Sequence, residues 1–207
     1  MKPTDAPAAH TARNADGSWR APHDLAAHLR AVAGLAAQCA DSYGAEWARL
    51  AGLWHDLGKY RPGFQRYLRA ASGAEAENAH IEGSAGRVSH STAGALLACE
   101  RFGTAGRVQA YLIASHHAGL YDWNSDESSL EARLASEASR AELAEALAQA
   151  PPEILDHGGF VPNLRAIPGG SAGFALWLRM LFSALVDADF LDTEAFMDEG
   201  KAAARGA

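Results

Sequence analysis

The helical spacing of apolar residues along most of the chain is the feature that most limits its fold. Leu25, Leu29 and Val32 fall on one face of a predicted helix, and the pattern returns over residues 45–57 and in later segments. No segment shows the alternation of apolar and polar residues that is typical of a half-buried strand. We therefore predict an all-α fold, a compact domain of about seven or eight helices.

The length and composition fit one globular domain. With 207 residues, of which 48% are hydrophobic and 21% charged, the chain can bury a sizeable core. We expect a polar N-terminal extension over residues 1–20 and one helical domain over residues 21–207. Because neither a secretory signal nor a run of about eighteen apolar residues is present, we expect a cytoplasmic protein without a membrane partner. The net charge of -7 means that any contact with nucleic acid should be local.

Histidines and aspartates interrupt the apolar helical faces or stand at the ends of the helices. Burying several of them without partners would destabilise the fold by about 2 kcal/mol or more for each group. Imidazole and carboxylate are ligands that Mn, Fe, Co and Ni accept readily, with Zn as a further candidate, whereas Mg prefers a site rich in oxygen. We therefore predict two divalent transition-metal ions that share a bridging carboxylate. The candidate ligands are His28, His55, Asp56, His90, His116, His117 and Asp189.

Each candidate ligand also has a purely structural interpretation. A single histidine on an apolar face is more often a hydrogen-bonded core residue, and a His-Asp pair can arise by chance. The number of such residues on well-patterned helices favours a shared metal site. Cys39 and Cys99 lack metal-binding spacing and are predicted to be buried free thiols. The remaining histidines are predicted to be solvated loop residues without a role: His10, His23, His80 and His157.

The distal carboxylate is predicted to be Asp189 rather than Asp187. Asp189 follows Leu178, Phe182 and Leu185 at helical spacing, and it therefore continues their buried stripe. Asp187 lies two residues earlier and projects about 160° away around the helix.

A set of short blocks carries a family resemblance. In order along residues 20–197 they read "AHLRAVAGLA", "HDLGKYRPGFQRYL", "SHSTAGALLA", "ASHHAGLYD" and "LVDADFLDTE". Together they resemble the HD nuclease domain of the CRISPR type I interference helicase-nuclease, within the HD metal-dependent phosphohydrolase superfamily. The resemblance implies metal-dependent cutting of single-stranded DNA. It also implies that Asp56 serves both ions, one held with His28, His55 and the distal aspartate, the other with His90, His116 and His117.

The same resemblance places Lys59 beside the metals and near the substrate phosphate, where its charge would stabilise a nonbridging oxygen. The alternative for Lys59 is an exposed lysine favoured by the helix dipole. The basic stretch "KYRPGFQRYLR" offers Arg61, Arg66 and Arg69 for single-strand contact. The alternative for these arginines is the solvated face of an ordinary amphipathic helix, whose aromatic residues Phe64 and Tyr67 belong to the core.

The chain lacks the G-x-x-x-x-G-K motif, followed by Ser or Thr, that an ATP-driven motor needs. The resemblance implies that the partners of the nuclease are a helicase module or separate helicase subunit, the RNA-guided CRISPR surveillance complex and the single-stranded DNA substrate. Two other function classes remain open. One is an HD-type phosphohydrolase that acts on dNTPs or signalling nucleotides, and the other is a metal-bound adaptor without turnover. The paired His116 and His117 favour the nuclease, and an adaptor would not need Lys59.

Overall fold

A computed structural model describes residues 6–14, 16–70, 89–124 and 129–205 of the chain. The fold of these residues is predominantly helical, which confirms the all-α prediction. The α-helices in these ranges are α1 (Leu25–Cys39), α2 (Ala45–Trp54), α3 (Pro62–Ala70), α4 (Thr92–Phe102), α5 (Gly106–Ser115), α6 (Leu130–Ala135), α7 (Glu137–Gln149), α8 (Pro152–Leu155), α9 (Gly170–Met197) and α10 (Glu199–Arg205). Short 3₁₀ helices span Leu57–Tyr60, Gly103–Ala105 and Leu164–Ala166.

Two short strands precede the first helix. Strand β1 (Ala8–His10) pairs antiparallel with β2 (His23–Asp24). The prediction of a chain without strands was wrong here, because strands of two and three residues are too short to show an alternating pattern. The amide of Ala8 donates to the Gln65 Oε1 atom at 3.0 Å, and Gln65 Nε2 donates to the Ala8 carbonyl oxygen at 2.9 Å. The first strand is thereby attached to α3.

The core lies between two groups of helices. Helix α1 packs against α2 and α9, and α4 packs against α5 and α7. Two glycines let the backbones of neighbouring helices approach closely. A Cβ atom on Gly52 would lie 2.7 Å from the Cα atom of Ala33, and one on Gly94 would lie 1.9 Å from the carbonyl oxygen of Trp54. The ends of α2 and α5 and the start of α4 are therefore brought together on one side of the core.

Residues 129–150 form two helices, although their amphipathic pattern alone favours one continuous helix. Ser136 has an extended backbone with ψ of 150°, and its Oγ atom accepts a hydrogen bond from the Ser139 amide at 3.1 Å. This side-chain cap begins α7 and separates it from α6, since a capping serine competes with continuation of the helix. Helix α7 ends at Gln149, shortly before Pro151, because proline cannot continue a helix.

Two further predictions concern the cysteines and the membrane. Both cysteines are free, but Cys39 is exposed rather than buried, because it occupies the C-terminal end of α1. Among the helices of the described ranges, none combines the length and the apolar character that a membrane span requires.

We expect Gly94→Ala to lower the free energy of unfolding by about 1–3 kcal/mol, because the added methyl group would overlap the backbone of α2. Gly34→Ala is the matched control. A Cβ atom on Gly34, inside α1, meets nothing within 4 Å, so this change should be neutral or stabilise the helix by about 0.5–1 kcal/mol. Urea unfolding followed by circular dichroism measures both. Equal stability of the two variants would contradict the close approach at Gly94.

Candidate metal centre

The predicted ligands come from separate parts of the fold and meet in one place. His28 lies on the buried face of α1, and Asp189 lies in the C-terminal half of α9. The other ligands stand at helix ends. His55 and Asp56 directly follow α2, His116 and His117 directly follow α5, and His90 lies just before α4. The structure therefore assembles the candidate ligands from α1 and α9 and from the ends of α2, α4 and α5.

The assembled residues form two groups that share Asp56. Within each group the candidate ligand atoms lie within 4.8 Å of one another. The Asp56 Oδ2 atom lies 3.4 Å from His28 Nε2 and 3.3 Å from His55 Nε2. The Asp56 Oδ1 atom lies 3.3 Å from His90 Nε2 and 3.6 Å from His116 Nε2. The groups are His28, His55, Asp56 and Asp189 on one side and Asp56, His90, His116 and His117 on the other.

Asp189, not Asp187, joins the first group. Its Oδ1 atom lies 3.4 Å from His28 Nε2 and 3.5 Å from His55 Nε2. Asp187 is exposed on the opposite side of α9, as the helical spacing predicts. Asp189 is therefore the candidate ligand that α9 contributes.

Hydrogen bonds orient two of the imidazole rings. His55 Nδ1 donates to the Gly52 carbonyl oxygen at 2.7 Å, and His116 Nδ1 donates to the Ile113 carbonyl oxygen at 2.6 Å. A carbonyl oxygen only accepts, so Nδ1 carries the hydrogen in both rings. In the neutral ring, Nε2 then offers its lone pair towards the centre of the site. Both carbonyls belong to the last turn of a helix, where backbone oxygens lack helical partners.

The donor set fits divalent metal ions. The Nε2 atoms of His28, His55 and His116 are buried and have no hydrogen-bond partner among the described residues. Each lies 3.3–3.6 Å from a carboxylate oxygen. Two ligands about 2.1 Å from one ion, at an angle of about 90–110°, would lie about 3.0–3.4 Å apart. The spacing and the unsatisfied nitrogens both match shared coordination of ions.

The electrostatics of the metal-free site are those of buried opposite charges. Burial opposes ionisation of Asp56, but the charges of Lys59 and His55 hold its pKa well below the usual range. Burial disfavours the charged form of His28, yet Asp189, Asp192 and Asp56 together raise its pKa to about 10. The pKa of His55 is raised to about 9 against the effect of burial, mainly by Asp56 and Asp189. In the metal-free protein at neutral pH, the rings of these two histidines are therefore protonated on both nitrogens and positively charged.

His117 shows the opposite electrostatic behaviour. Burial, followed by the neighbouring His116 and His90, lowers its pKa. The ring therefore stays neutral near pH 7, which is the form that binds a metal.

Lys59 is buried and contacts the shared carboxylate. Its Nζ atom lies 2.6 Å from Asp56 Oδ2 and donates to the Ala9 carbonyl oxygen at 3.3 Å. The alternative interpretation of Lys59 as an exposed lysine at a helix end is wrong, since only 1% of its surface is exposed. The position of the charge beside Asp56 is set by the 3₁₀ helix that carries Lys59.

Gly58 follows the end of α2, where a glycine commonly forms a left-handed cap. It does not have this role here, since its φ angle is not positive. Its amide donates to the His90 carbonyl oxygen at 3.0 Å, and a Cβ atom here would lie 2.3 Å from that oxygen. Gly58 is needed because the backbone of His90 passes directly over it.

The basic stretch after the site divides into two parts. Arg61 is mostly buried and forms ion pairs with Glu142 at 3.1 Å and Glu145 at 3.3 Å, which compensate its charge. Arg66 and Arg69 are exposed on α3. Phe64 is fully buried, as predicted, and its ring packs edge-on against His90 with centroids 5.3 Å apart.

The sequence interpretation missed several residues next to the site. His10 is buried and His23 is half-buried, so their prediction as solvated loop residues was wrong. The short strands that place them give no sequence signal. Together with His28 they form a third group whose nitrogens lie within 4.8 Å of one another. Asp192 Oδ2 accepts a hydrogen bond from His28 Nδ1 at 2.6 Å. Its position, three residues after Asp189, continues the buried stripe and is a signal that the sequence contains.

Of the remaining histidines, His157 is described and belongs to none of these three groups. His157 is half-buried, and its ring packs against Phe102 with centroids 5.4 Å apart. The prediction for His80 falls on a residue outside the described ranges.

Comparison with known families agrees with this geometry. The HD domain family matches residues 25–144, more than half of the 207 residues. Among curated proteins, none shows significant similarity to the chain. The matched segment includes the candidate ligands from His28 to His117 and also Lys59, whereas Asp189 and Asp192 lie beyond its end. The family match therefore gives no support for these two aspartates; the structure places both near His28, and helical spacing had already predicted Asp189.

We expect Asp189→Ala to lose one bound ion, because it removes a carboxylate that only the first group contains. Asp187→Ala removes the same charge from the exposed side of the same helix and should retain both ions. Elemental analysis of protein reloaded with Mn²⁺ and freed of excess metal measures the stoichiometry. Full occupancy in Asp189→Ala with loss in Asp187→Ala would reverse the assignment.

Metal uptake should release protons and become tighter as the pH rises. The pKa values of about 10 for His28 and about 9 for His55 lie above neutral pH, so an ion must displace protons to bind these nitrogens. We expect the apparent affinity of stripped protein for Mn²⁺ to increase between pH 6.5 and pH 9. Titration calorimetry in buffers with different ionisation enthalpies measures the released protons. Proton-neutral binding at pH 7 would contradict protonated ligands.

Proposed function

The chain belongs to the HD domain family, whose fold implies a metal-dependent phosphohydrolase, and we propose that this member is an endonuclease that cuts single-stranded DNA in CRISPR type I interference. In this proposal the ions are two divalent transition metals, from Mn, Fe, Co and Ni. The DNA is delivered by a helicase module or subunit after recognition by an RNA-guided surveillance complex.

The observation that carries the proposal is the shared Asp56 between two histidine-rich groups. Each oxygen of this carboxylate faces a different group, with nitrogens 3.3–3.6 Å away. A pair of ions suits the displacement of one phosphodiester oxygen by another, because each ion can stabilise one of the two oxygens. The imidazole content of both groups supports transition metals over magnesium.

Two bound ions would supply an activated water and stabilise the charge on the attacking and leaving oxygens. The residues of the chain orient the ligands and compensate their charge for that chemistry. The carbonyls of Gly52 and Ile113 fix the rings of His55 and His116 with Nε2 inward. Lys59 offsets the charge of Asp56 in the buried interior of the site. The partial exposure of Asp189 and His117 supports an approach of the phosphate from their side.

The nucleic-acid contacts in this proposal come from exposed cations beside the site. Arg66 and Arg69 stand on α3, the helix that follows Lys59 and packs Phe64 against His90. Their exposure supports contact with a phosphate backbone. Arg61 contributes less to this surface, because Glu142 and Glu145 already compensate its charge.

We expect stripped protein reloaded with Mn²⁺, Co²⁺, Ni²⁺ or Fe²⁺ to cut circular single-stranded DNA faster than protein given Mg²⁺. Asp56→Ala should abolish cutting, because both ions lose a ligand. Lys59→Met should reduce the rate by about 100-fold, the usual effect of losing one group that stabilises charge. Lys201→Met removes an exposed lysine near the C-terminus and serves as the control that retains activity. Gel analysis of linearised product measures all four proteins.

The same preparations should be incubated with dNTPs and cyclic nucleotides. Turnover of nucleotides with intact circular DNA would replace the nuclease proposal with the phosphohydrolase. Two bound ions with no turnover of either substrate class would leave the adaptor or a strict need for the helicase partner.

A further inference from the structure

Asp192 stands directly behind one of the candidate metal ligands. Its Oδ2 atom accepts a hydrogen bond from His28 Nδ1 at 2.6 Å, while His28 Nε2 lies 3.4 Å from both Asp56 and Asp189. The two nitrogens of this ring therefore face different carboxylates. Asp192 itself is in neither of the two groups that could hold the paired ions.

The location of His28 explains why it needs a side-chain acceptor. His55 and His116 follow the last turns of their helices, where backbone carbonyls remain available for Nδ1. His28 lies within α1, whose carbonyls at this position are engaged in the helix. The acceptor must therefore come from another element, and α9 supplies it. A carboxylate acceptor makes a stronger bond than a neutral carbonyl and increases the basicity of the ring.

Neighbouring rings hold Asp192 in place. His23 Nε2 lies 3.4 Å from Asp192 Oδ2, and the His23 ring stacks on Phe196 with centroids 4.7 Å apart and an interplanar angle of 10°. The ring of His10 packs edge-on against His28 at 5.0 Å between centroids, and its Nε2 atom lies 3.2 Å from the Thr193 hydroxyl oxygen. The contacts of strands β1 and β2 with the end of α9 thus enclose the pair of His28 and Asp192.

A third ion among His10, His23 and His28 is the competing interpretation, because their nitrogens are close enough to share one. The contacts of His28 argue against it. Its Nε2 atom faces the first group and its Nδ1 atom donates to Asp192, so a third ion would have to break one of these arrangements.

We propose that Asp192 is a positioning residue, which fixes the hydrogen of His28 on Nδ1 and selectively strengthens the ion held by His28, His55, Asp56 and Asp189. This inference rests on the metal centre of the proposed function and not on its DNA substrate. His23 supports the role by holding the Asp192 carboxylate against the ring.

The test compares metal binding by stripped wild-type protein, Asp192→Asn and Asp192→Glu, with Asp187→Asn as the control. Asp187→Asn makes the same chemical change on the exposed side of the same helix. Competition of Co²⁺ with a chelator gives the affinity of each ion. We expect Asp192→Asn to weaken one of the two ions by about 10–100-fold and to leave the other within about 2-fold. Asp192→Glu, which keeps the carboxylate, should lose less, and Asp187→Asn should match the wild type.

A spectroscopic readout separates positioning from a general structural role. In Zn²⁺-loaded protein, the Nδ1 proton of His28 should give a downfield NMR signal, which Asp192→Asn moves upfield and Asp187→Asn leaves unchanged. Wild-type affinities for both ions in Asp192→Asn would overturn the inference. So would equal weakening of both ions together with a lower melting temperature of the metal-free protein. A third ion in the wild type that His23→Gln and Asp192→Asn remove, with the other two unchanged, would also overturn it. Since no DNA is used, these outcomes are independent of nuclease activity.

Discussion

The burial of one carboxylate, Asp56, is the constraint on which the rest of the site depends. A charge that is only 1% exposed destabilises a fold unless opposite charges or ions surround it. Here Lys59 contacts one oxygen, and imidazoles from four parts of the chain face both oxygens. The metal-free protein meets this demand with protonated histidines, and ions would replace those protons. The same side chains can therefore surround Asp56 either with protonated histidines or with neutral histidines and bound ions.

Backbone contacts bring these side chains together. Gly58 leaves room for the backbone of His90, and Gly94 leaves room for the carbonyl oxygen of Trp54 at the end of α2. A larger residue at either point would move a helix end that carries a ligand. Packing and chemistry are thus coupled, because the close approach of helices also sets the distances between nitrogens and oxygens across the site.

The helices, and most of the side chains that the structure brings together around Asp56, follow from the sequence, because these side chains interrupt apolar helical faces or stand at helix ends. Asp189 was distinguished from Asp187 by its place on the buried stripe, and the structure puts Asp189 beside His28 and His55. The environments of His10 and His23 were not predictable, because strands of two and three residues carry no periodic pattern. The contact of Gly58 with His90 was also not predictable, because it joins residues that are distant in sequence and leaves no local pattern. The helix break at Ser136 was not predictable either, because its side-chain cap interrupts a pattern that is typical of one continuous helix.

The attachment of strand β1 has a consequence for how the boundary of this domain is defined. The family match begins at residue 25, yet the carbonyl of Ala9 accepts a hydrogen bond from Lys59, and Ala8 exchanges hydrogen bonds with Gln65. Similarity in sequence therefore marks where the shared helices start, whereas residues that pack against those helices start earlier. A truncation placed at the family boundary would open the wall of the site to water and leave the ammonium of Lys59 with a different set of neighbours. The dielectric environment of the metal centre is set in part by residues that precede its first ligand.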